Sequence, residues 1–307
     1  MSTLRSALRR YVTFRRGVGY KFRDQEKQLE DFVRFMEKRG ASVITSKLAL
    51  DWATLPRDRF RTQALRLTAV RGFARYVGSM EPLTEVPPTG MLPGPSRAKP
   101  YLYTETEITT LLKAALKLPP ANGLKRWTCY NLFGLLAVSG LRISEALMLS
   151  RDDVDLKGGV LTIRGTKFGK SRLVPIHSTT CEVLLDYARR RDRHIRPPRS
   201  PYFFIAERGG RLERMRVYSV FWQLSRQTGL REPEAHTGPR LHDFRHSFAV
   251  QTLLNGYRSG RNVELLLPVL STYLGHTCVR DTYWYLSVCP ELMGQAVRRL
   301  EEHWGRP

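Results

Sequence analysis

The chain has 307 residues, of which 42% are hydrophobic, a content that excludes a disordered chain and is sufficient for real cores. Its length favours two domains over one. Lys and Arg total 51 against 28 Asp and Glu, giving a net charge of +23 that attracts polyanions, most commonly nucleic acid. Charge alone leaves DNA, RNA and a merely basic protein open.

Residues 1–80 are predicted to form a basic helical domain. Apolar residues recur there at three- and four-residue steps, which indicates amphipathic helices. After a basic first helix, the predicted helices cover Phe22–Arg39, Thr45–Trp52 and Arg59–Val77. The arginines of the last helix form either a solvated face or a phosphate-binding one, and the sequence does not decide between the two.

Residues 81–100 are rich in proline, which sustains neither a helix nor a central strand, so we interpret them as an extended interdomain linker. The second domain, residues 101–307, then opens with a capping box. Thr104 and Glu107 have the spacing in which each side chain bonds the other's backbone, which predicts a helix through Leu118.

The second domain is predicted to be mainly helical with a small amount of sheet, so the fold class is mainly α with a β-hairpin (α+β). Gly159–Arg164 and Ser171–Ile176 alternate like two strands, with a turn rich in glycine and lysine between them. The remaining predicted elements are helices at His177–Arg193, Met215–Thr228, Leu241–Asn255, Val263–Leu274 and Pro290–His303.

The cysteines and the apolar runs predict a cytoplasmic protein. Cys129, Cys181, Cys278 and Cys289 form no C-x-x-C pair and suit neither a zinc site nor a disulfide framework, which indicates a reducing compartment. No apolar run approaches the length of a membrane span, and the N-terminus lacks the hydrophobic core of a signal peptide.

Two segments carry polar groups that, taken alone, have ordinary structural explanations and indicate a functional site only weakly. Arg142 and Glu145 lie three apart on a short apolar helix, where a simple ion pair is the ordinary explanation. Lys167 lies at the predicted hairpin turn, where a lysine usually serves solubility but can also reach into a groove.

Two further segments are more specific. His242 and Arg245 lie one helical turn apart, and two cations that project together suit a phosphate better than a core. His276 follows a glycine at the end of a predicted helix, an arrangement that by itself indicates only a C-cap. Tyr285 follows nine residues later in a tyrosine-rich stretch, which is ordinarily core or interface.

In order and spacing, these segments together resemble the active-site motifs of the tyrosine recombinase (phage integrase) family. The matching stretches are Ser-Gly-Leu-Arg-Ile-Ser-Glu, the hairpin ending in Arg-Leu-Val-Pro, His-Asp-Phe-Arg-His, Leu-Gly-His and Thr-x-x-Tyr. The resemblance covers residues 102 to the end. It implies catalysis by Arg142, Lys167, His242, Arg245, His276 and the nucleophile Tyr285, with Glu145 in support. Counting back from Arg-Leu-Val-Pro selects Lys167 over Lys170, and Tyr283 is the second choice of nucleophile.

The family's activity is site-specific cleavage and rejoining of double-stranded DNA through a 3′-phosphotyrosine intermediate. Because that intermediate conserves the phosphodiester's energy, neither a metal, ATP nor another cofactor is expected. The resemblance implies that residues 1–80 are a DNA-binding domain. It also implies a homo-oligomer on DNA, with four protomers in the synapse and partner recombinases as a further option. The helix Pro290–His303 packs either onto a neighbouring protomer or onto its own chain.

One departure from the family's pattern lies between Gly256 and His276, where the chain is a few residues longer and contains Pro268. It is compatible with a mobile-element or transposon-associated branch of the family. Two other functions explain some of the same features: a type IB topoisomerase, which shares the nucleophile, and a non-catalytic DNA-binding protein. An RNA-binding role explains only the charge.

Overall fold

A computed structural model of the protein describes residues 3–55, 60–94, 99–165, 171–235 and 237–304, apart from the side chains at 60, 61, 287, 288, 299, 300, 302 and 303. The chain divides into two compact units, Met1–Ala98 and Lys99–Pro307. The predicted fold class, mainly helical with a small sheet, is confirmed. No helix in the described ranges is long and apolar enough to cross a membrane.

The first unit contains four helices: α1 (Leu4–Gly17), α2 (Arg23–Lys38), α3 (Ser46–Ala53) and α4 (Phe60–Gly78). The last three lie within one residue of the predicted bounds at each end. The Thr45 hydroxyl accepts the backbone N–H of Leu48, which begins α3 with a side-chain cap. The apolar stripes meet in a core around Phe32, Trp52 and Phe73, each fully buried.

The proline-rich segment has no helix or strand in its described part, residues 81–94, as proline predicts. It is nevertheless packed against the first unit. The backbone N–H of Glu85 donates to the carbonyl of Ile44 (2.8 Å), and the Arg71 guanidinium donates to the carbonyls of Pro87 and Pro88 (2.7 and 2.8 Å). This stretch therefore belongs to the first unit's structure rather than forming a free linker.

The second unit begins with α5 (Glu105–Ala115), α6 (Lys125–Ser139) and α7 (Ile143–Met148), followed by a sheet and by α8 (Ser178–His194) and α9 (Arg214–Gln227). The capping box at Thr104 and Glu107 is present, but α5 ends three residues before the predicted Leu118. The sheet is antiparallel in the order β1 (Val154–Asp155), β2 (Val160–Ile163), β3 (Arg172–Pro175). The predicted hairpin is confirmed, and β1 is too short for alternation to reveal it.

The last four helices are α10 (Asp243–Arg258), α11 (Val263–Leu274), α12 (Arg280–Val288) and α13 (Pro290–Trp304). They share one apolar cluster, to which α13 contributes the fully buried Leu292, so α13 packs on its own chain. Helix α11 has the predicted bounds and continues through Pro268. Proline has no backbone N–H, so the carbonyl four residues before Pro268 has no helical donor. Pro268 is exposed, which leaves that carbonyl open to water.

Candidate active site

Arg142 is placed by the end of one helix and the beginning of the next. Gly140 caps the C-terminal end of α6 with a φ of 59°, which lets the chain turn back, and Arg142 is the N-cap of α7. The carboxylate of Glu145 accepts the backbone N–H of Arg142 and its guanidinium, both at 2.9 Å. The predicted ion pair is present, and 34% of the arginine side chain remains exposed, which leaves donors for a ligand.

Glu145 has a second arginine partner, which the sequence did not reveal. The Arg172 guanidinium donates to both carboxylate oxygens of Glu145, at 3.0 and 2.9 Å. Burial alone would raise the pKa of Glu145, but the hydrogen bonds from Arg172 and Arg142 and their charges outweigh it and lower that pKa to about 2. Glu145 is therefore an anion at neutral pH, hydrogen-bonded to both arginines.

Arg245 is the most buried cation of the site, with 2% of its surface exposed on α10. Its guanidinium donates to the carbonyl oxygens of Gly140 (2.9 Å) and Leu274 (2.6 Å). Burial, followed by the neighbouring charge of Arg142, lowers the pKa of Arg245 to about 10. The group remains charged at neutral pH, so the fold keeps a positive charge inside the unit, where a phosphate would neutralise it.

Two histidines of the His-Asp-Phe-Arg-His motif, His242 and His246, also belong to the site. His242 immediately precedes α10, and burial, reinforced by the charge of Arg245, lowers its pKa, so at neutral pH it is a neutral imidazole that can accept a proton. Its ring centroid lies 4.7 Å from that of His246. The His246 ring in turn lies 5.5 Å from the Tyr285 ring. His246 lies within one of the matching motifs, but sequence reasoning assigned it no role.

Helix α12 carries the candidate nucleophile. Tyr285 is 2% exposed, whereas Tyr283, the second choice, is 52% exposed. His276 follows the left-handed Gly275, and its Nδ1 is hydrogen-bonded at 2.8 Å to the hydroxyl of Thr282, a fully buried residue of α12. The His276 ring lies nearly parallel to that of Tyr285, with 6.2 Å between centroids.

These contacts converge on the turn between α11 and α12. Arg245 donates to Leu274, Arg142 donates to the Gly275 carbonyl at 3.4 Å, and His276 comes next in the chain. The structure thus brings together six of the predicted residues: Arg142, Glu145, His242, Arg245, His276 and Tyr285. Lys167, the seventh, lies outside the described residues. Among those described, no three His, Cys, Asp or Glu side chains lie close enough to hold a metal ion.

Arg172 is the functional candidate that sequence reasoning missed. The stretch Arg-Leu-Val-Pro served only to locate Lys167, and Arg172 was assigned to a strand. The signal that could have found it was the strand itself: Val174, on the same face two residues later, is buried, so period-two alternation turns Arg172 inward.

Sequence comparison with known proteins agrees with the family resemblance of the active-site motifs. A sequence profile of the phage integrase family matches residues 102–291. A Sinorhizobium fredii protein named as an integrase/recombinase is 51% identical over 310 residues, which cover 99% of each chain. The tyrosine recombinase XerD of Mycobacterium tuberculosis is 33% identical over 245 residues, covering 78% of this chain and 72% of its own.

Solved structures share the fold at lower identity. The Tn1549 transposon integrase in complex with transposon right-end DNA matches with a TM-score of 0.69 and 17% identity, covering 97% of this chain and 98% of its own. The XerH recombinase in its post-cleavage complex with difH substrate matches with a TM-score of 0.66 and 20% identity, covering 91% and 77%. At these identities the likeness is one of fold.

Proposed function

The chain belongs to the phage integrase family of tyrosine recombinases, and on that premise we propose that it recombines specific DNA sites with Tyr285 as its nucleophile. The phenolic oxygen attacks the phosphorus of a DNA phosphodiester, a bond forms between tyrosine and phosphorus, and the bond to the 5′-oxygen breaks. The free 5′-hydroxyl of a second strand then attacks the phosphotyrosine, which releases Tyr285 and closes the new strand.

The observation that carries this proposal is the grouping of two arginines and three histidines around one buried tyrosine. Negative charge gathers on the non-bridging oxygens of the phosphate in the transition state. Arg142 and Arg245 suit those oxygens, because a guanidinium stays charged and donates in a two-pronged fashion. Loss of one such preorganised donor costs on the order of a hundred- to thousandfold in rate.

Proton transfer needs a base for the attacking phenol and an acid for the leaving oxygen. A phenol with an ordinary pKa of about 10 is a poor nucleophile at neutral pH. His242, neutral because its pKa is lowered, accepts the tyrosine proton. His276, held by Thr282, donates a hydrogen bond to the phosphate. Lys167 protonates the departing 5′-oxygen, a role that rests on the family resemblance alone.

Double-stranded DNA is the substrate. The net charge of +23 supports it, and affinity that rests on phosphate contacts falls steeply with salt. The Tn1549 and XerH structures contain those proteins with DNA. We assign DNA contacts to the first unit as well, whose first helix, α1, carries Arg15 and Arg16 in its last turn. Two sites and four protomers form the recombining complex, with partner recombinases as a further option.

The chemistry conserves the energy of the phosphodiester in the phosphotyrosine bond, so neither ATP, a metal nor another cofactor is required. Full cleavage in EDTA is the expected result. The topoisomerase and the non-catalytic alternatives are not favoured, because the relatives that match nearly the whole chain or most of it carry integrase and recombinase names.

Covalent trapping tests the proposal. Duplexes from the ends of the host element are nicked beside the candidate cleavage site, so that the short leaving strand diffuses away and the adduct accumulates. Wild type and Tyr283→Phe are expected to give a protein–DNA adduct on a denaturing gel in EDTA, and Tyr285→Phe none. An adduct with Tyr285→Phe would move the nucleophile, and tight binding without any adduct would favour a binding protein.

A further inference from the structure

We propose that Arg172 is a positioning residue for strand cleavage: it clamps Glu145, so that Glu145 holds the Arg142 guanidinium at the angle the phosphate requires. The proposal rests on the function proposed above and adds a residue to it. Arg172 lies at the start of β3 and directs both arms of its guanidinium at the Glu145 carboxylate, so its effect on the reaction is exerted through Glu145.

The Glu145 carboxylate is saturated by two arginines. One oxygen accepts from the guanidinia of Arg142 (2.9 Å) and Arg172 (3.0 Å). The other accepts from the backbone N–H of Arg142 and from the second arm of Arg172, both at 2.9 Å. Arg172 therefore supplies half of these bonds and fixes both oxygens at once. Without it, the carboxylate can rotate away from the geometry that aims Arg142.

A third contact ties Arg172 to the turn that presents His276. Its Nε donates to the Tyr273 carbonyl at 2.7 Å. A Cβ added at Gly275 would lie 2.8 Å from the Arg172 guanidinium, so a glycine there lets the arginine pass beneath the turn. One guanidinium thus connects β3, the Arg142–Glu145 motif and the backbone just before His276. The planar guanidinium spreads its donors over three nitrogens and so reaches all of these acceptors at once, whereas a lysine carries its three donors on a single nitrogen.

The burial of Arg172 and Glu145 indicates that their ion pair positions other groups of the site and is not an ordinary surface salt bridge. The side chains of Arg172 and Glu145 are 11% and 7% exposed, so solvent hardly screens the pair. The charged groups that face Glu145 are Arg142, Arg172 and, at longer range, Arg245. Since Arg142 must direct donors at a phosphate, Arg172 is the partner that can hold Glu145 ionised throughout the reaction.

A matched control lies elsewhere in the same unit. Arg191, with a 4% exposed side chain, also forks onto a carboxylate, donating to both oxygens of Asp192 at 2.9 and 3.0 Å. It also donates to a backbone carbonyl, that of Phe203, at 3.0 Å. Arg191→Met therefore removes a buried fork with the same kinds of acceptor outside the candidate site.

The experiment compares Arg172→Met, Arg172→Lys, Arg191→Met and wild type in the full chain. Single-turnover adduct formation on nicked DNA, DNA affinity and thermal unfolding are measured for each. We expect Arg172→Met to slow cleavage about 10- to 100-fold, as misaimed catalytic groups do, with DNA affinity changed less than about threefold. Arg172→Lys retains the charge but not the fork and is expected to restore only part of the rate. Arg191→Met is expected to lower the unfolding temperature without slowing cleavage.

A double-mutant cycle tests whether the effect of Arg172 on cleavage is exerted through Glu145. If Arg172 acts through Glu145, then Arg172→Met adds little to the loss already caused by Glu145→Gln. Full additivity of the two losses would contradict the proposal. A slowing of Arg172→Met no greater than that of Arg191→Met, at a temperature where both are folded, would contradict it as well.

A measurement independent of cleavage separates this inference from the proposed function. Glutamate labelled with ¹³C at its carboxyl reports the pKa of Glu145 by NMR, assigned by loss of its signal in Glu145→Gln. We expect that pKa to rise in Arg172→Met and to stay low in Arg191→Met. If it rises but wild type never forms an adduct, the proposed function fails, while the interaction by which Arg172 holds Glu145 as an anion stands. If it does not rise, the clamp is wrong whatever the cleavage result.

Discussion

The ring of Tyr285 lies 5.5 Å from that of His246, inside a cluster that also receives side chains from α10, α11 and α13. Only 2% of Tyr285 is exposed. The candidate nucleophile therefore already lies beside its histidines in the unbound chain, yet a DNA phosphate cannot reach it without a movement of α12 or of its neighbours. The arrangement keeps the phenol out of contact with solvent in the unbound chain.

Chemical modification of tyrosine tests this burial. In the free protein, we expect tetranitromethane to nitrate Tyr283 at least about tenfold faster than Tyr285, since reagent access follows local opening of buried groups. The two tyrosines share one helix, so they control for each other. Peptide mass spectrometry gives both rates. Equal rates would mean that Tyr285 is exposed for much of the time and that no opening step precedes cleavage.

Replacing Arg245 is expected to lower the free energy of unfolding more than replacing Arg142 does. Arg245→Gln leaves two buried carbonyls, those of Gly140 and Leu274, without a guanidinium donor, and each unpaired group costs about 1 to 3 kcal/mol. Arg142→Gln removes a partly exposed group, and its partner Glu145 keeps Arg172, so its cost is smaller. Both are expected to slow cleavage about a hundredfold or more. Urea unfolding and single-turnover cleavage measure the two effects, and equal destabilisation would contradict the contrast.

The pKa of Glu145 makes stability depend on pH with a defined sign. In the folded chain that pKa is about 2, against an ordinary value of 4.5, so ionised Glu145 stabilises the fold above the unfolded value. The full contribution, on the order of 3 kcal/mol, is lost as the pH falls through the folded value. Between pH 7 and pH 3, we expect wild type to lose about 2 kcal/mol more than Glu145→Gln, as measured by urea unfolding. Parallel losses would mean that Glu145 is not held as an anion.

Local motifs could be predicted well from the sequence. Arg142 with Glu145, and His242 with Arg245, lie within one helical turn, so spacing alone predicts that the members of each pair lie on the same side of a helix. Helix α11 was predicted with its observed bounds, because its apolar run begins after a cap and ends at Gly275. Amphipathic spacing and capping chemistry are properties of neighbouring residues, which a sequence displays directly.

Long-range relationships could not be predicted in the same way. Glu145 and Arg172 are 27 residues apart on different elements, and no periodicity joins them. The burial of Tyr285 depends on helices packing around it, while its own helix, α12, is short and was not predicted. Likewise, prolines in residues 81–94 excluded a helix, but the bonds from Arg71 that fasten this stretch to the first unit depend on tertiary structure.

Gly140 links the backbone of the site to its chemistry, and its replacement by alanine should affect both stability and cleavage. Its φ is 59°, and a Cβ there would lie 2.6 Å from the ring of Phe248. Gly260 has a similar φ of 67° but open space around it, so Gly260→Ala isolates the backbone cost of about 1 to 2 kcal/mol. We expect Gly140→Ala to cost about 2 to 4 kcal/mol, because overpacking adds to the backbone cost.

The same substitution should slow cleavage, since the Gly140 carbonyl accepts from Arg245 and any shift of the turn moves that guanidinium. Gly260→Ala, which lies at the end of α10 away from these contacts, should leave the cleavage rate near that of wild type. Chemical unfolding and adduct formation are measured on both variants under conditions where each is folded. Equal costs in the two would show that Phe248 moves aside freely, and an unchanged cleavage rate in Gly140→Ala would show that Arg245 does not depend on this turn.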